Sequence, residues 1–136
     1  MNRMSVPAKL DYLDEVTDFV GNILESCGCD MKLQLQVRLA VEEVFVNIAS
    51  YAYSPGSGDA EIEAEIQGGD EKKLVVRFID SGKQFDPTKK EDADTSEDAL
   101  LERVGGLGIL LVKKNMDDVS YSYTDHKNTL TIVKKL

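Results

Sequence analysis

The sequence predicts an α+β fold, a two-layer sandwich with helices on one face of a mainly antiparallel sheet. Three observations predict it. Two helical stripes come first, two short strand patterns follow, and a third helical pattern leads into a closing pair of strands. At 136 residues and 42% hydrophobic content, the chain suits a single domain, residues 1–136, built on one core.

Met1 to Pro7 reads as a short edge strand that Pro7 ends. From about Leu10 to Cys27, the residues Leu10, Leu13, Val16, Val20, Ile23, Leu24 and Cys27 recur every three or four positions, the stripe of an amphipathic helix that Gly28 stops. Asp30 caps a second helix, whose buried stripe of Leu33, Val37, Ala40, Val41, Val44, Ile48 and Ala49 runs to about Tyr53. Ser54-Pro55-Gly56-Ser57-Gly58 breaks the chain. Ala60 to Ile66 then alternates Ile62, Ala64 and Ile66 with Glu61, Glu63 and Glu65, a strand with one wet face, and Gly68-Gly69 turns it. Lys73 to Ile79 is apolar enough for a central strand and stops at Asp80-Ser81-Gly82.

Pro87 to Val104 is long, polar and without a core pattern, and it reads as a lid over a site. Gly105-Gly106-Leu107-Gly108 opens the third helix, which runs to about Asn115. Strands near Val119 to Thr124 and Thr129 to Lys134, joined around Asp125 to Asn128, complete the chain.

Composition narrows the function. A formal charge of −9, from 25 acidic and 16 basic residues, repels a phosphate backbone, so direct nucleic-acid binding is disfavoured. No window carries the run of apolar residues that a membrane span needs, and no basic-then-apolar leader opens the chain, so a soluble, cytoplasmic protein is expected. Cys27 and Cys29 make neither a disulfide framework nor a four-ligand zinc site. His126, the one histidine, falls in a turn without a nucleophile beside it, which leaves a hydrolase triad unsupported.

Three features carry chemistry. Glu43 and Asn47, four apart on the second helix, share a face and can reach one ligand or metal. Glu42 is turned about 100° from Glu43, which makes Glu43 the better placed acid. Asp80 and Gly82, at the end of an apolar strand, offer an acceptor for an exocyclic amine and a backbone that a planar ring can approach. Gly105, Gly106 and Gly108 precede or open a helix with no acid in its first turn, leaving backbone N–H groups at the positive end of a helix dipole, a cradle for phosphates. It is neither a Walker loop nor a dinucleotide fingerprint. Each feature alone has an ordinary structural explanation: a polar helix edge, a turn and a hinge.

In order, Leu39-Ala40-Val41-Glu42-Glu43-Val44-Phe45-Val46-Asn47, Asp80-Ser81-Gly82-Lys83-Gln84-Phe85-Asp86-Pro87 and Gly105-Gly106-Leu107-Gly108-Ile109 resemble the three nucleotide boxes of the GHKL ATPase superfamily. Phe85-Asp86-Pro87, Gly106-Leu107-Gly108 and the tail from Leu111 to Val119 resemble its anti-sigma-factor serine kinase branch. The resemblance covers nearly the whole chain and implies a Bergerat ATP-binding fold, with ATP and Mg²⁺ as ligands and a lid at about residues 87–104. It implies that Asn47 coordinates Mg²⁺ and that Glu43 orients or deprotonates a partner's serine hydroxyl. It further implies that Asp80 reads the adenine amine, that Gly82 admits the base, that Phe85 and Leu107 lie at the nucleotide, and that Gly105, Gly106 and Gly108 hold phosphates.

The partners implied are an anti-sigma-factor antagonist, a sigma factor and a second copy of the chain. Two positions depart from many relatives: Gln84 replaces a glycine and Tyr51 a histidine. The competing expectation is an ATP-dependent regulatory binding module with little or no phosphotransfer.

Overall fold

A computed structural model describes residues 1–89 and 106–136. Five strands, β1 (Asn2–Pro7), β2 (Asp59–Gln67), β3 (Lys73–Asp80), β4 (Asp118–Thr124) and β5 (Lys127–Lys135), form one sheet in the order β1-β2-β3-β5-β4, every neighbouring pair antiparallel. Three helices, α1 (Leu13–Ser26), α2 (Met31–Asn47) and α3 (Gly106–Asn115), pack on one face. This is the two-layer α+β sandwich the sequence predicts, with β1 at an edge as expected.

Strand parity assigns the two faces, because side chains alternate along a pleated strand. Ala60, Ile62 and Ala64 of β2, Leu74, Val76 and Phe78 of β3, and Leu130 and Ile132 of β5 share register rows and are buried with Val16, Val20 and Leu24 of α1, Val37, Val41 and Phe45 of α2, and Val112 of α3. The opposite face carries Arg3, Glu61, Glu63, Glu65 and Arg77, held by ion pairs Arg3–Glu61 at 2.7 Å, Arg3–Glu63 at 2.6 Å and Arg77–Glu65 at 3.5 Å.

The helix ends follow the sequence signals. Gly28, at φ 71°, donates to Glu25 O while Cys29 N donates to Leu24 O, the paired closure of a Schellman stop. Asp30 Oδ1 accepts from Leu33 N at 2.8 Å and caps α2. Two boundaries differ from expectation. Leu10–Tyr12 is a 3-10 turn leading into α1, and the α-helix of α2 ends at Asn47, continuing as a π-helical segment over Ile48–Ala52. The β4–β5 hairpin closes through Asp125 and His126, both at positive φ (55° and 62°), the backbone of a two-residue type I′ turn. Pro87–Lys89 is a 3-10 turn; the rest of the expected lid, and Gly105, lie outside the described residues.

Candidate nucleotide site

Parity that buries Phe78 also turns Asp80 inward, two residues on at the end of β3. Asn128, its register partner on β5, and Tyr121, opposite Leu130 on β4, face the same way. Against this end of the sheet stand Val44, Asn47, Ile48 and Tyr51, one side of α2 and its extension, with Ile109 of α3. Between them is a cavity of about 490 Å³, also lined by Lys83, Gln84 and Phe85, within the size range of small-molecule sites.

Its apolar walls are Val44, Ile48, Phe78, Ile109 and Leu130, and Asn47, Asp80, Lys83, Gln84, Tyr121 and Asn128 supply polar groups along its lining. The Asp80 side chain, in a residue only 7% exposed, has Oδ1 occupied by Gly82 N at 2.9 Å and Asn128 Nδ2 at 3.0 Å. Among the described residues nothing donates to Oδ2, which is left to accept from whatever enters the cavity.

The π-helical segment shapes one rim. It ends with the Ala52 carbonyl facing the loop after β3, where Lys83 N donates to it at 2.9 Å. A Cβ on Gly82 would lie 2.2 Å from that same oxygen, so the close approach recorded at Gly82 is one of backbone to backbone. Tyr53 pins the junction from the other side: its hydroxyl accepts from Ser81 N at 2.8 Å and donates to Asp59 O at 2.6 Å. Burial pushes the phenols of Tyr53 and Tyr121 above their ordinary value of 10.0.

The structure therefore brings Asn47, Asp80 and Phe85 together and adds both departures, Tyr51 and Gln84, to the lining. Glu43 is half-buried one helical turn before Asn47 and is not part of that lining. Gly106, Leu107 and Gly108 form the first turn of α3, the helix that supplies Ile109. Sequence reasoning missed Asn128, Tyr121 and Tyr53. The tyrosines carried no local signal, and Asn128 sat in a turn expectation one residue before the strand that in fact includes it.

No cluster of three His, Cys, Asp or Glu side chains able to hold a metal exists among the described residues. Asn47 offers one neutral oxygen. That donor set suits a magnesium ion held mainly by nucleotide phosphates and water, and not a resident metal centre.

The histidine kinase-like ATPase domain family matches residues 6–134. The chain belongs to that family. Among curated relatives, the serine-protein kinase RsbW of Listeria monocytogenes serovar 1/2a is 33% identical over 126 residues, covering 90% of this chain and 79% of the relative. The serine-protein kinase RsbW of Staphylococcus aureus strain MSSA476 is 27% identical over 137 residues, covering 96% and 84%. A chain of the SiaB–SiaC complex from Pseudomonas aeruginosa is similar in fold, at a TM-score of 0.59 and 15% identity, over all of this chain and 90% of that one. No helix among the described residues is long and apolar enough to cross a membrane.

Proposed function

We propose that the cavity binds Mg²⁺·ATP and that the chain is a cytoplasmic serine-protein kinase and anti-sigma factor, which phosphorylates a serine on an anti-sigma-factor antagonist and acts as a homodimer holding a sigma factor. The observation that carries the nucleotide reading is the buried Asp80 carboxylate on the cavity lining, fixed through Oδ1, with no described residue donating to Oδ2. An acceptor so placed suits the exocyclic amine of adenine, and the apolar walls suit its ring. The kinship with serine-protein kinases supports the transfer reading.

In that reading the base lies between the sheet end and α2, with Phe85 and Gln84 at its edge. Phosphates extend toward the first turn of α3, where backbone N–H groups of Gly106, Leu107 and Gly108, with Gly105 before them, face negative charge. The Asn47 side-chain oxygen is the protein ligand for Mg²⁺. Charge neutralisation at the phosphates is what that ion supplies when bound. Glu43, a turn away on α2, orients or deprotonates the incoming serine hydroxyl; the new bond joins serine oxygen to the terminal phosphorus as the bond to ADP breaks.

Thermal melts with ATP test the reading. A ligand at about 100 times its Kd adds roughly 2.7 kcal/mol, a rise of several degrees for a domain of this size. The rise is expected in wild type, absent in Asp80→Asn, and stripped of its Mg²⁺-dependent part in Asn47→Ala. An unchanged wild-type melt rejects ATP as the ligand. Because Glu43 stands outside the cavity lining, a second reading is an ATP-switched binding module. Glu43→Ala separates the two: loss of phosphate transfer to the antagonist with ATP binding intact supports the kinase, whereas wild-type protein that binds ATP and never transfers supports the module.

A further inference from the structure

We infer that Asn128 sets the base selectivity of the cavity, by locking Asp80 and the 82–85 loop in the one arrangement that presents a carboxylate oxygen to a purine's exocyclic amine. The inference rests on the reading of Asp80 as the acceptor of that amine. Asn128 lines the cavity, yet its own hydrogen-bonding capacity is already used inside the protein. Nδ2 donates to Asp80 Oδ1 at 3.0 Å and to Lys83 O at 2.8 Å, with Gly82 O at 3.5 Å. Oδ1 accepts from Phe85 N at 3.2 Å and from the Tyr121 hydroxyl.

A side-chain amide has two N–H donors and two acceptor lone pairs, so these partners exhaust it and fix which way round it sits. It is 7% exposed, opposite Asp80 in the β3–β5 register. Asn128 is therefore a positioning residue. It acts on the base through Asp80, whose Oδ1 it fills, and through the loop, whose main chain it grips at three residues.

Replacing the amide by a carboxylate of the same shape tests this. In Asn128→Asp an acceptor would face Asp80 Oδ1 and Lys83 O where a donor stood. Two carboxylates at that spacing do not both ionise readily: when the pair holds one proton, an O–H again bridges them, and when it holds none they repel. The other titratable groups around position 128 include Tyr121 and Tyr123 on β4, Tyr53 behind Ser81, Lys83 and Asp86 in the loop, and His126 and Lys127 just before Asn128 in the hairpin; of these, Tyr121 bonds Asn128 directly. Burial raises the phenols of Tyr53 and Tyr121 above their ordinary value of 10.0, so both stay protonated through the acidic to neutral range. Wild type carries every one of these groups, so a pH dependence that Asn128→Asp shows and wild type does not belongs to the new pair.

The measurement is the Kd of the full chain for ATP and for purine riboside triphosphate, which lacks the amine, from about pH 5.5 to about pH 8.5, with a melting curve at each pH. Wild type is expected to prefer ATP by about tenfold or more throughout, the scale of one hydrogen bond to a charged group. Asn128→Asp is expected to lose most of that preference at the alkaline end and to recover it as pH falls, while remaining folded. An Asn128→Asp protein with wild-type preference at every pH overturns the inference. So does an equal loss at every pH, which would mark a merely structural position. Asp80→Asn separates this from the underlying reading: if it keeps the wild-type preference for ATP, Asp80 does not read the amine and both fall. If Asp80→Asn loses the preference while Asn128→Asp keeps it, only the role of Asn128 falls.

Discussion

Gly82 stands 2.2 Å, measured from where a side chain would begin, from the carbonyl oxygen of Ala52. That oxygen is backbone and is already engaged by Lys83 N, so it cannot swing aside as a long side chain would. Gly82→Ala should therefore cost about 1–3 kcal/mol, the scale of overpacking, and should weaken ATP binding as well, because the loop it shifts carries Lys83 and Phe85. Gly28→Ala is the matching control. Its strain is conformational, at φ 71° with open space around the position, and should cost about 1–2 kcal/mol while leaving ATP affinity unchanged. Urea denaturation and ATP titration of both variants measure the two quantities separately.

Among the elements, α2 links core and site: its buried side packs the sheet, and its C-terminal turns line the cavity. Asp30→Ala removes the bond to Leu33 N at its start and should cost about 1 kcal/mol. Phe45→Ala, at a fully buried position, should cost about 3–5 kcal/mol, comparable to the stability of many whole domains. Equilibrium unfolding ranks them. The stripe from Leu33 to Ile48 made this helix legible in the sequence, as alternation did for β2 and the apolar run for β3. What escaped was the change to π geometry after Asn47. Ile48 and Ala49 still fit an α-helical stripe, and a slip of one residue per turn over five residues leaves no mark on hydrophobic spacing.

Half of the site was legible on the same grounds. Asn47 and Asp80 lie where a helix stripe and a strand end put them. Asn128 and Tyr121 reach the cavity only because β5 pairs with β3 and β4 with β5, and pairing between distant segments is not encoded in local pattern.

For the molecule as a whole, the two half-buried phenols predict an alkaline limit. Desolvation raises both Tyr53 and Tyr121 above 10.0, so folding favours their protonated forms. The sign follows: their contribution is complete below about pH 10 and is lost as pH climbs through the raised folded values. Melting temperature should stay level to about pH 9.5 on this account and then fall, and Tyr53→Phe should flatten that fall while lowering the neutral-pH melt through the lost bonds to Ser81 and Asp59. A Tyr53→Phe protein as alkali-sensitive as wild type would assign the limit to other groups. The described helices cover one sheet face, and light scattering of the pure protein tests the homodimer.

The loop from Gly82 to Phe85 is gripped by Asn128 through main-chain atoms alone: two carbonyls and one amide N–H. Its path is thus specified from a different strand, independently of what Lys83 and Gln84 carry as side chains. Those two positions are free to vary chemically while the loop keeps its course, which makes them the natural place to redesign ligand preference by directed evolution, with position 128 held constant as the frame.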